Sequence, residues 1–259
     1  MITFSVVTIT YNAASVLQPT LDSVLMQDYP HVEHIIIDGA SKDDTVKIAE
    51  AYQQQSDEAE NEHTVRIQSE PDDGLYYAMN KGLQLATGDY VVFLNAGDRF
   101  PEPDTLDKVV LAAVVGDGEE RPAVLFGDTD IIDEKGNFLC HRRLSPPGRL
   151  TWRSFRYGML VCHQAFYARM DIARSLPYDT DYRYSADVDW CIRIMKEGEK
   201  RRLLLRNIHA VVANYVQEGQ TTIHHKESLR ERFDVMRRHY GLVRTLLLHV
   251  WFAIRSLIK

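Results

Sequence analysis

The sequence predicts an α/β fold, a mostly parallel sheet flanked by helices. Three observations carry the prediction. Apolar runs of strand length alternate at short intervals with runs of helical period through the first hundred residues. The run Ile35-Ile36-Ile37 is β-branched and unbroken by polar residues, as in a strand covered on both faces. That run stops at Asp38, where a strand's carboxyl end in an open α/β sheet meets the ligand crevice.

The elements follow in order. Residues 3–10 form a first strand ending at Tyr11-Asn12, and Val16, Leu17, Leu21, Val24 and Leu25 lie at helical spacing within 14–27. A second strand spans 32–38. Gly39 permits a tight turn there, and Ser41 or Asp43 can cap a helix over 43–57. Asp38 either caps its own turn or accepts hydrogen bonds from a ligand. A third strand covers 64–69. A helix over 74–86 follows Asp72-Asp73-Gly74 and ends at Thr87-Gly88, and a strand then runs over 89–94. The pattern continues with a helix over 104–115 and strands near 123–133 and 137–143, joined by a turn at Asp133-Glu134-Lys135-Gly136. After Pro146-Pro147-Gly148 the sequence is less regular and rich in arginine and aromatic residues. Trp190, Ile192, Ile194 and Met195 then suggest a helix.

A chain of 259 residues, 45% hydrophobic and 26% charged, can fill the core of one large domain. Cys140, Cys162 and Cys191 match no zinc or redox spacing and read as reduced cytoplasmic thiols, and no charged leader precedes the first strand. The net charge of −7 conceals an asymmetry: residues 1–140 carry 8 Lys/Arg against 26 Asp/Glu, and residues 141–259 carry 22 against 11. The acidic first half argues against nucleic acid as a partner. The basic second half suits an anionic ligand or an anionic membrane surface.

At the carboxyl end, Arg244, Thr245, His249, Arg255, Ser256 and Lys259 share a sector about 140° wide, and Leu242, Val243, Leu246, Leu247, Val250, Trp251, Ile254, Leu257 and Ile258 fill the remainder. The segment is a poor spanning helix. It fits an interfacial helix with basic residues at headgroup depth, or a terminal helix docked on the protein's own core.

Four segments in order, Thr10-Tyr11-Asn12, Asp38-Gly39-Ala40-Ser41 with Asp43-Asp44-Thr45, Leu94-Asn95-Ala96-Gly97-Asp98 and Ala186-Asp187-Val188-Asp189, together resemble family 2 glycosyltransferases. Gln27-Asp28-Tyr29-Pro30, Ala78-Met79-Asn80-Lys81-Gly82 and Ala86-Thr87-Gly88-Asp89 are also similar to that family. The resemblance covers residues 3–225. It implies the A-type glycosyltransferase fold, a Rossmann-like mostly parallel sheet flanked by helices, here with a C-terminal amphipathic helix. Residues 1–98 would form the nucleotide-sugar-binding half, 99–225 the acceptor-binding and catalytic half of the same domain, and 226–259 a helical, membrane-associating segment.

The resemblance further implies a nucleotide-sugar donor, UDP-linked before GDP- or dTDP-linked. Tyr11 and Asn12 would lie beside the base and Asp38 would accept from base or ribose. Asp72 would stand at a helix N-terminus open to polar ligand atoms, and Asn80 would lie farther along that helix. Many relatives carry Asp-any-Asp after the fourth strand; here Asn95-Ala96-Gly97-Asp98 keeps one carboxylate. Asp98 is then the ligand for Mg2+ or Mn2+, with Asn95 as a supporting oxygen. Asp187 would be the general base of an inverting transfer, although the family's Glu-Asp is Ala186-Asp187 here. His163-Gln164 would line the acceptor side. Outside the resemblance, His224-His225 after Gly219-Gln220-Thr221-Thr222 either contact phosphate or metal or lie in solvent. The acceptor would be a glycan or a polyprenyl-phosphate-linked sugar on the inner face of the cytoplasmic membrane. A catalytically silent nucleotide-sugar-binding module is the alternative. Nucleotidyltransferases are set aside because no glycine precedes Gly39.

Overall fold

The computed structural model describes residues 1–59, 61–114, 120–216 and 225–257, without the side chains of residues 225, 253 and 255–257. The expected alternation holds: β1 (Phe4–Thr10), α1 (Leu17–Leu25), β2 (Val32–Asp38), α2 (Thr45–Glu58), β3 (Thr64–Ser69), α3 (Leu75–Leu85) and β4 (Tyr90–Phe93). Helix α1 starts later than its apolar spacing suggests. The N–H groups of Asn12, Ala13 and Ala14 donate instead to Ser41, Thr45 and Asp43, which ties the loop after β1 to the loop after β2. Asp43 rather than Ser41 fastens the start of α2, its carboxylate accepting from Thr45 N at 3.1 Å and Thr45 Oγ1 at 2.5 Å.

The second half adds α4 (Thr105–Val114), β5 (Val124–Ile132), β6 (Phe138–His141), β7 (Phe166–Arg169), α5 (Met170–Ala173), α6 (Ala186–Lys200), β8 (Leu205–Val216), α7 (His225–Tyr240) and α8 (Leu242–Leu257). The β5–β6 hairpin turns where expected, with Gly136 at φ +89°. Two strands in the region that reads as irregular have no clear sequence signature. β7 is only four residues long. β8 contains His209 at φ +58° and two register shifts against β5, which break any alternation.

The strands form one eight-stranded sheet in the order β3-β2-β1-β4-β7-β5-β6, with β8 also paired to β5. β3, β2, β1 and β4 are parallel, and β7 runs antiparallel to both β4 and β5. The chain winds outward from β1 to β3, then returns to place β4 on the other side of β1. The crevice of such a sheet opens at this reversal, beyond the carboxyl ends of β1 and β4.

Pleating divides the isoleucine run between two cores. Ile36 joins Leu17, Leu21, Ala49 and Tyr52 under α1 and α2, whereas Ile35 and Ile37 join Val7 and Met79 under α3. Gly82 lets α3 lie directly on β1, because a Cβ at that position would overlap Val7 Cγ1. Gly82→Ala should therefore destabilise the fold by about 1–3 kcal/mol, despite alanine's better helix propensity. Denaturant melts would check this, and a more stable variant would show that the helix can shift away freely.

Helix α8 docks through its polar sector: Thr245 is fully buried and His249 half-buried against Phe233, while Val243, Leu246, Leu247, Val250 and Ile254 are exposed. Among the described residues no helix is long and apolar enough to cross a membrane.

Candidate active site

Strand register builds the floor of the crevice. Thr10, Asp38 and Ser69 are aligned across β1, β2 and β3. Asp38 is buried, and its two oxygens accept from Thr10 Oγ1 (3.0 Å), Ser41 N (2.9 Å), Ser69 Oγ (2.7 Å) and the Ser41 hydroxyl. Burial pushes its pKa up, but the donors from Ser41, Ser69 and Thr10 outweigh it and hold the carboxyl below its ordinary range. Asp38 thus fastens three strand ends, and every lone-pair direction it offers is already occupied.

Above this floor stands an open slot. Tyr11 is 65% exposed at the end of β1. Asn12 adopts φ +49°, a left-handed conformation that asparagine tolerates, and its Oδ1 accepts from Lys42 N at 2.9 Å. Gly39 lies between the Tyr11 ring and Asp72: a Cβ there would sit 3.2 Å from Tyr11 Cδ2 and 3.0 Å from Asp72 Oδ2. Asp72 Oδ1 accepts from Gly74 N at 2.9 Å, just ahead of α3. The slot has an aromatic face, a backbone floor and a carboxylate edge.

The second cluster forms where the turn after β4 meets the start of α6. Gly97, at φ +102°, donates its N–H to Thr20 Oγ1 (2.9 Å) and lets the turn bring Asp98 inward. Buried Asp98 accepts from Gln164 Nε2 at 2.8 Å and Val216 N at 3.3 Å. Burial raises its pKa to about 6, against the lowering effects of Gln164 and His163. Asn95 Nδ2 faces His163 Nε2 at 3.2 Å, and Asn95 Oδ1 is buried with no hydrogen-bond partner among the described residues.

His163 links this turn to Asp187, its Nδ1 lying 3.4 Å from Asp187 Oδ2. Asp187 opens α6, is 15% exposed, and accepts on Oδ1 from Tyr76 OH at 3.2 Å. Burial pushes the Asp187 carboxyl up. His163 beside it and the positive charge of Arg232 outweigh that effect and keep it below the usual carboxylate range. Tyr76 is the second residue of α3 and Asp72 lies just ahead of that helix, so the two clusters meet at one end of it. Asp189 is fully buried on Arg193 and His239, pointing away from Asp187 as its spacing suggests.

Asn80 is engaged elsewhere: its amide donates to Tyr178 O (3.0 Å) and accepts from Tyr178 N (2.8 Å). It thereby ties α3 to the segment leading to Asp187. Sequence reasoning missed Tyr76, Gln164 in its bond to Asp98, and Arg232, whose Nε is buried without a hydrogen-bond partner among the described residues. Gln164, next to His163, was the one with a signal. His224, and the side chain of His225, fall outside the described residues.

The donors near Asp98 fit a divalent cation. Asp98 and Asn95 Oδ1 are hard oxygen donors, one a carboxylate destabilised by burial and the other an orphaned carbonyl. Among the described residues no group of three His, Cys, Asp or Glu gathers to hold an ion unaided. Phosphate oxygens and water would have to complete such a shell.

A mostly parallel sheet, with Tyr11, Gly39 and Asp72 gathered at its reversal and a carboxylate opening a helix beside them, places the chain among α/β proteins that bind ligands at a strand-order switch point. Residues 5–175 match the family model described as glycosyl transferase family 2, and the chain belongs to that family. It is 35% identical over 230 residues to a PGL/p-HBAD biosynthesis glycosyltransferase of Mycobacterium bovis, covering 88% of this chain and 82% of that protein. It is 31% identical over 217 residues to the amylovoran biosynthesis glycosyltransferase AmsB of Erwinia amylovora, covering 81% and 70%. Among solved structures it resembles S. aureus TarS 1-349 in complex with UDP-GlcNAc, with a TM-score of 0.70 at 18% identity over 91% of this chain and 64% of that one. It also resembles the mannosyltransferase PcManGT from Pyrobaculum calidifontis in complex with GDP-Man and Mn2+, with a TM-score of 0.62 at 18% identity over 97% and 75%. The fold is the A-type glycosyltransferase fold, and the chain is a glycosyltransferase.

Proposed function

We propose that this chain is an inverting glycosyltransferase. It moves a sugar from a nucleotide-sugar donor, UDP-linked before GDP- or dTDP-linked, to a glycan or polyprenyl-phosphate-linked acceptor in cell-surface polysaccharide or glycolipid assembly. The observation that carries the reading is the setting of Asp187, a nearly buried carboxylate kept ionised by His163 and Arg232, accepting from Tyr76, and linked through His163 and Asn95 to the turn after β4. The names of the mycobacterial and Erwinia relatives support the acceptor class, and the UDP-GlcNAc complex of TarS supports the nucleotide.

Residues 1–98 hold the donor in this reading. The base stacks on Tyr11 over Gly39, and Asp72 accepts from polar groups of the nucleoside. Asn12 and Asp38 shape the slot, and Asp38 reaches the ligand only by giving up one of its present donors. Asn80 acts by positioning the segment at Tyr178. Residues 99–225 supply the acceptor side, with His163 at its edge. Asp187 takes the acceptor hydroxyl proton as that oxygen bonds to the anomeric carbon, while the bond from that carbon to the diphosphate oxygen breaks. Attack from the face opposite the leaving group inverts the configuration. Asp98, with Asn95 Oδ1, would hold Mg2+ or Mn2+, which when bound supplies positive charge to the departing diphosphate. The acceptor class makes the enzyme cytoplasmic, peripheral on the inner face of the cytoplasmic membrane.

A thermal-shift screen of UDP-, GDP- and dTDP-sugars, with and without each ion, tests the donor. A matching nucleotide-sugar at a hundred times its Kd should stabilise the protein by about 2.7 kcal/mol. Gly39→Ala, which puts a methyl group between Tyr11 and Asp72, should weaken that binding about tenfold or more. If no nucleotide-sugar raises the melting temperature, the donor assignment fails. Tight binding by the glycine variant would move the base elsewhere, and donor binding without transfer to any acceptor would favour the silent module.

A further inference from the structure

Helix α8 carries an aliphatic stripe that nothing among the described residues covers. Val243, Leu246, Leu247, Val250 and Ile254 are between 48% and 73% exposed along one side, while Thr245, Leu248, His249 and Phe252 face the protein. The helix is anchored by His249 against Phe233 (5.0 Å between ring centroids) and by Trp251 against Tyr157 (6.2 Å). A water-facing helix places its apolar stripe inward. Here the stripe faces outward over the helix's length, too contiguous to be scattered surface residues.

Its surroundings identify the occupant. The partly exposed Tyr157 and Trp251 edge the stripe, and the Arg156 guanidinium lies over the Tyr157 ring at 4.7 Å. Amphipathic rings of this kind sit at the boundary between apolar chains and water. Residues 142–158, which include the turn beneath α8, contain five arginines and no acidic residue. Residues 241–259 contain Arg244, Arg255 and Lys259 and likewise no acidic residue. A second copy would bring these like charges together, whereas an anionic surface complements them. At 16 residues the helix is too short to span a bilayer and suits lying along one.

We propose that the outer face of α8, with Tyr157, Trp251 and the neighbouring arginines, seats this chain on an anionic lipid surface. The proposal deepens the reading of a lipid-linked acceptor and rests on it for its purpose. Helix α7 turns into α8 at Gly241 (φ +83°), and its other end adjoins the base: Glu231 accepts from the N–H groups of Arg183 (2.9 Å) and Tyr184 (2.7 Å), just ahead of Asp187. Seating α8 therefore brings the crevice beside the membrane plane through one rigid hairpin arm.

Flotation of the full chain with vesicles tests the surface. The protein should float with phosphatidylcholine vesicles containing phosphatidylglycerol, much less with phosphatidylcholine alone, and be released by high salt. The double substitution Val243→Glu with Leu247→Glu should weaken vesicle binding about tenfold or more. Both residues point outward, so its melting temperature should match that of the unaltered chain. Undiminished flotation of the double variant overturns the proposal, as does no flotation of the unaltered chain. A concentration-dependent dimer that the double variant abolishes, with no vesicle binding, assigns the stripe to a second copy instead. Nucleotide-sugar thermal shifts on the same samples separate the two readings. Vesicle binding without any shift would strike the donor assignment alone, and intact shifts without vesicle binding would strike only this surface.

Discussion

Asp187→Asn should lower kcat by about 10²–10⁴-fold while leaving nucleotide-sugar binding nearly unchanged. The substitution preserves shape and removes the ability to take a proton. The first turn of α6 would hold, because Ser185 donates to Ser228 O at 3.2 Å and Glu231 fixes the two residues before it. Tyr76 could still donate to the amide oxygen, so the site would stay assembled around a group with no basicity. Steady-state kinetics with the donor identified by thermal shift would check the split between kcat and KM. Turnover within a few-fold of the unaltered enzyme would remove Asp187 from the role of base. A pH series adds a readout that a merely structural role would not move. Because Asp187 is held below the usual carboxylate range, activity controlled by the base should persist into mild acid. His163→Gln removes one of the groups opposing burial, so the acidic fall in rate should move to higher pH.

The parts of this molecule that were legible in the sequence are those with a period or a forced backbone. Strand–helix alternation through residue 93 was readable because β1, β2 and β4 are buried on both faces, β3 alternates apolar with polar residues, and each helix is apolar on one side. The segment Asn95–Asp98 was readable through the family resemblance, and its Gly97 proves to stand at φ +102°. Several segments shared with the family prove to be fasteners of the fold. Gln27 donates to Ser23 O and Glu102 O and accepts from Leu106 N, binding α1 to α4. Glu33 accepts from the backbone of Thr87 and Gly88, fixing the turn into β4. Family resemblance alone does not separate such residues from those that line the crevice. Tyr76 and Arg232 were invisible for another reason. Their importance lies in being brought to Asp187 from α3 and α7, across 111 residues in the first case, and no local pattern encodes that meeting. The orientation of α8 was left open by the sequence for the same reason. A helical wheel gives the contrast between faces, but which face the neighbours contact depends on Phe233 and Tyr157, elsewhere in the chain.

Asp98→Asn should have two large and opposite effects. Asp98 is buried and its pKa is raised to about 6, so at neutral pH the fold carries a charge that burial disfavours. Relative to an ordinary aspartate near 3.8, that corresponds to about 3 kcal/mol. The sign follows from protonation. Below the unfolded value near 4 the carboxyl is protonated in both states and there is no penalty. As pH rises through about 6 the folded group must ionise, and the stability is lost. Without ligand, the asparagine variant should therefore melt roughly 5–10 °C higher than the unaltered chain at pH 8, with the difference closing toward pH 4. Asparagine keeps one acceptor oxygen for Gln164 and turns its amide nitrogen toward Val216 N, so it forfeits only the longer, 3.3 Å bond, and that loss offsets part of the gain. Donor and divalent ion should reverse the order. The unaltered chain, whose buried carboxylate gains a compensating charge from a cation, should gain stability and bind donor in an ion-dependent way, while the variant gains little. A functional group that destabilises its own fold until its ligand arrives is a common cost of an active site. Differential scanning fluorimetry across pH 4–8, with and without Mg2+ or Mn2+ and nucleotide-sugar, reads both effects in one plate. Equal melting temperatures for the two proteins at pH 8 would show that the Asp98 charge is already compensated within the fold. An unchanged ion titration in the variant would take the metal away from Asp98.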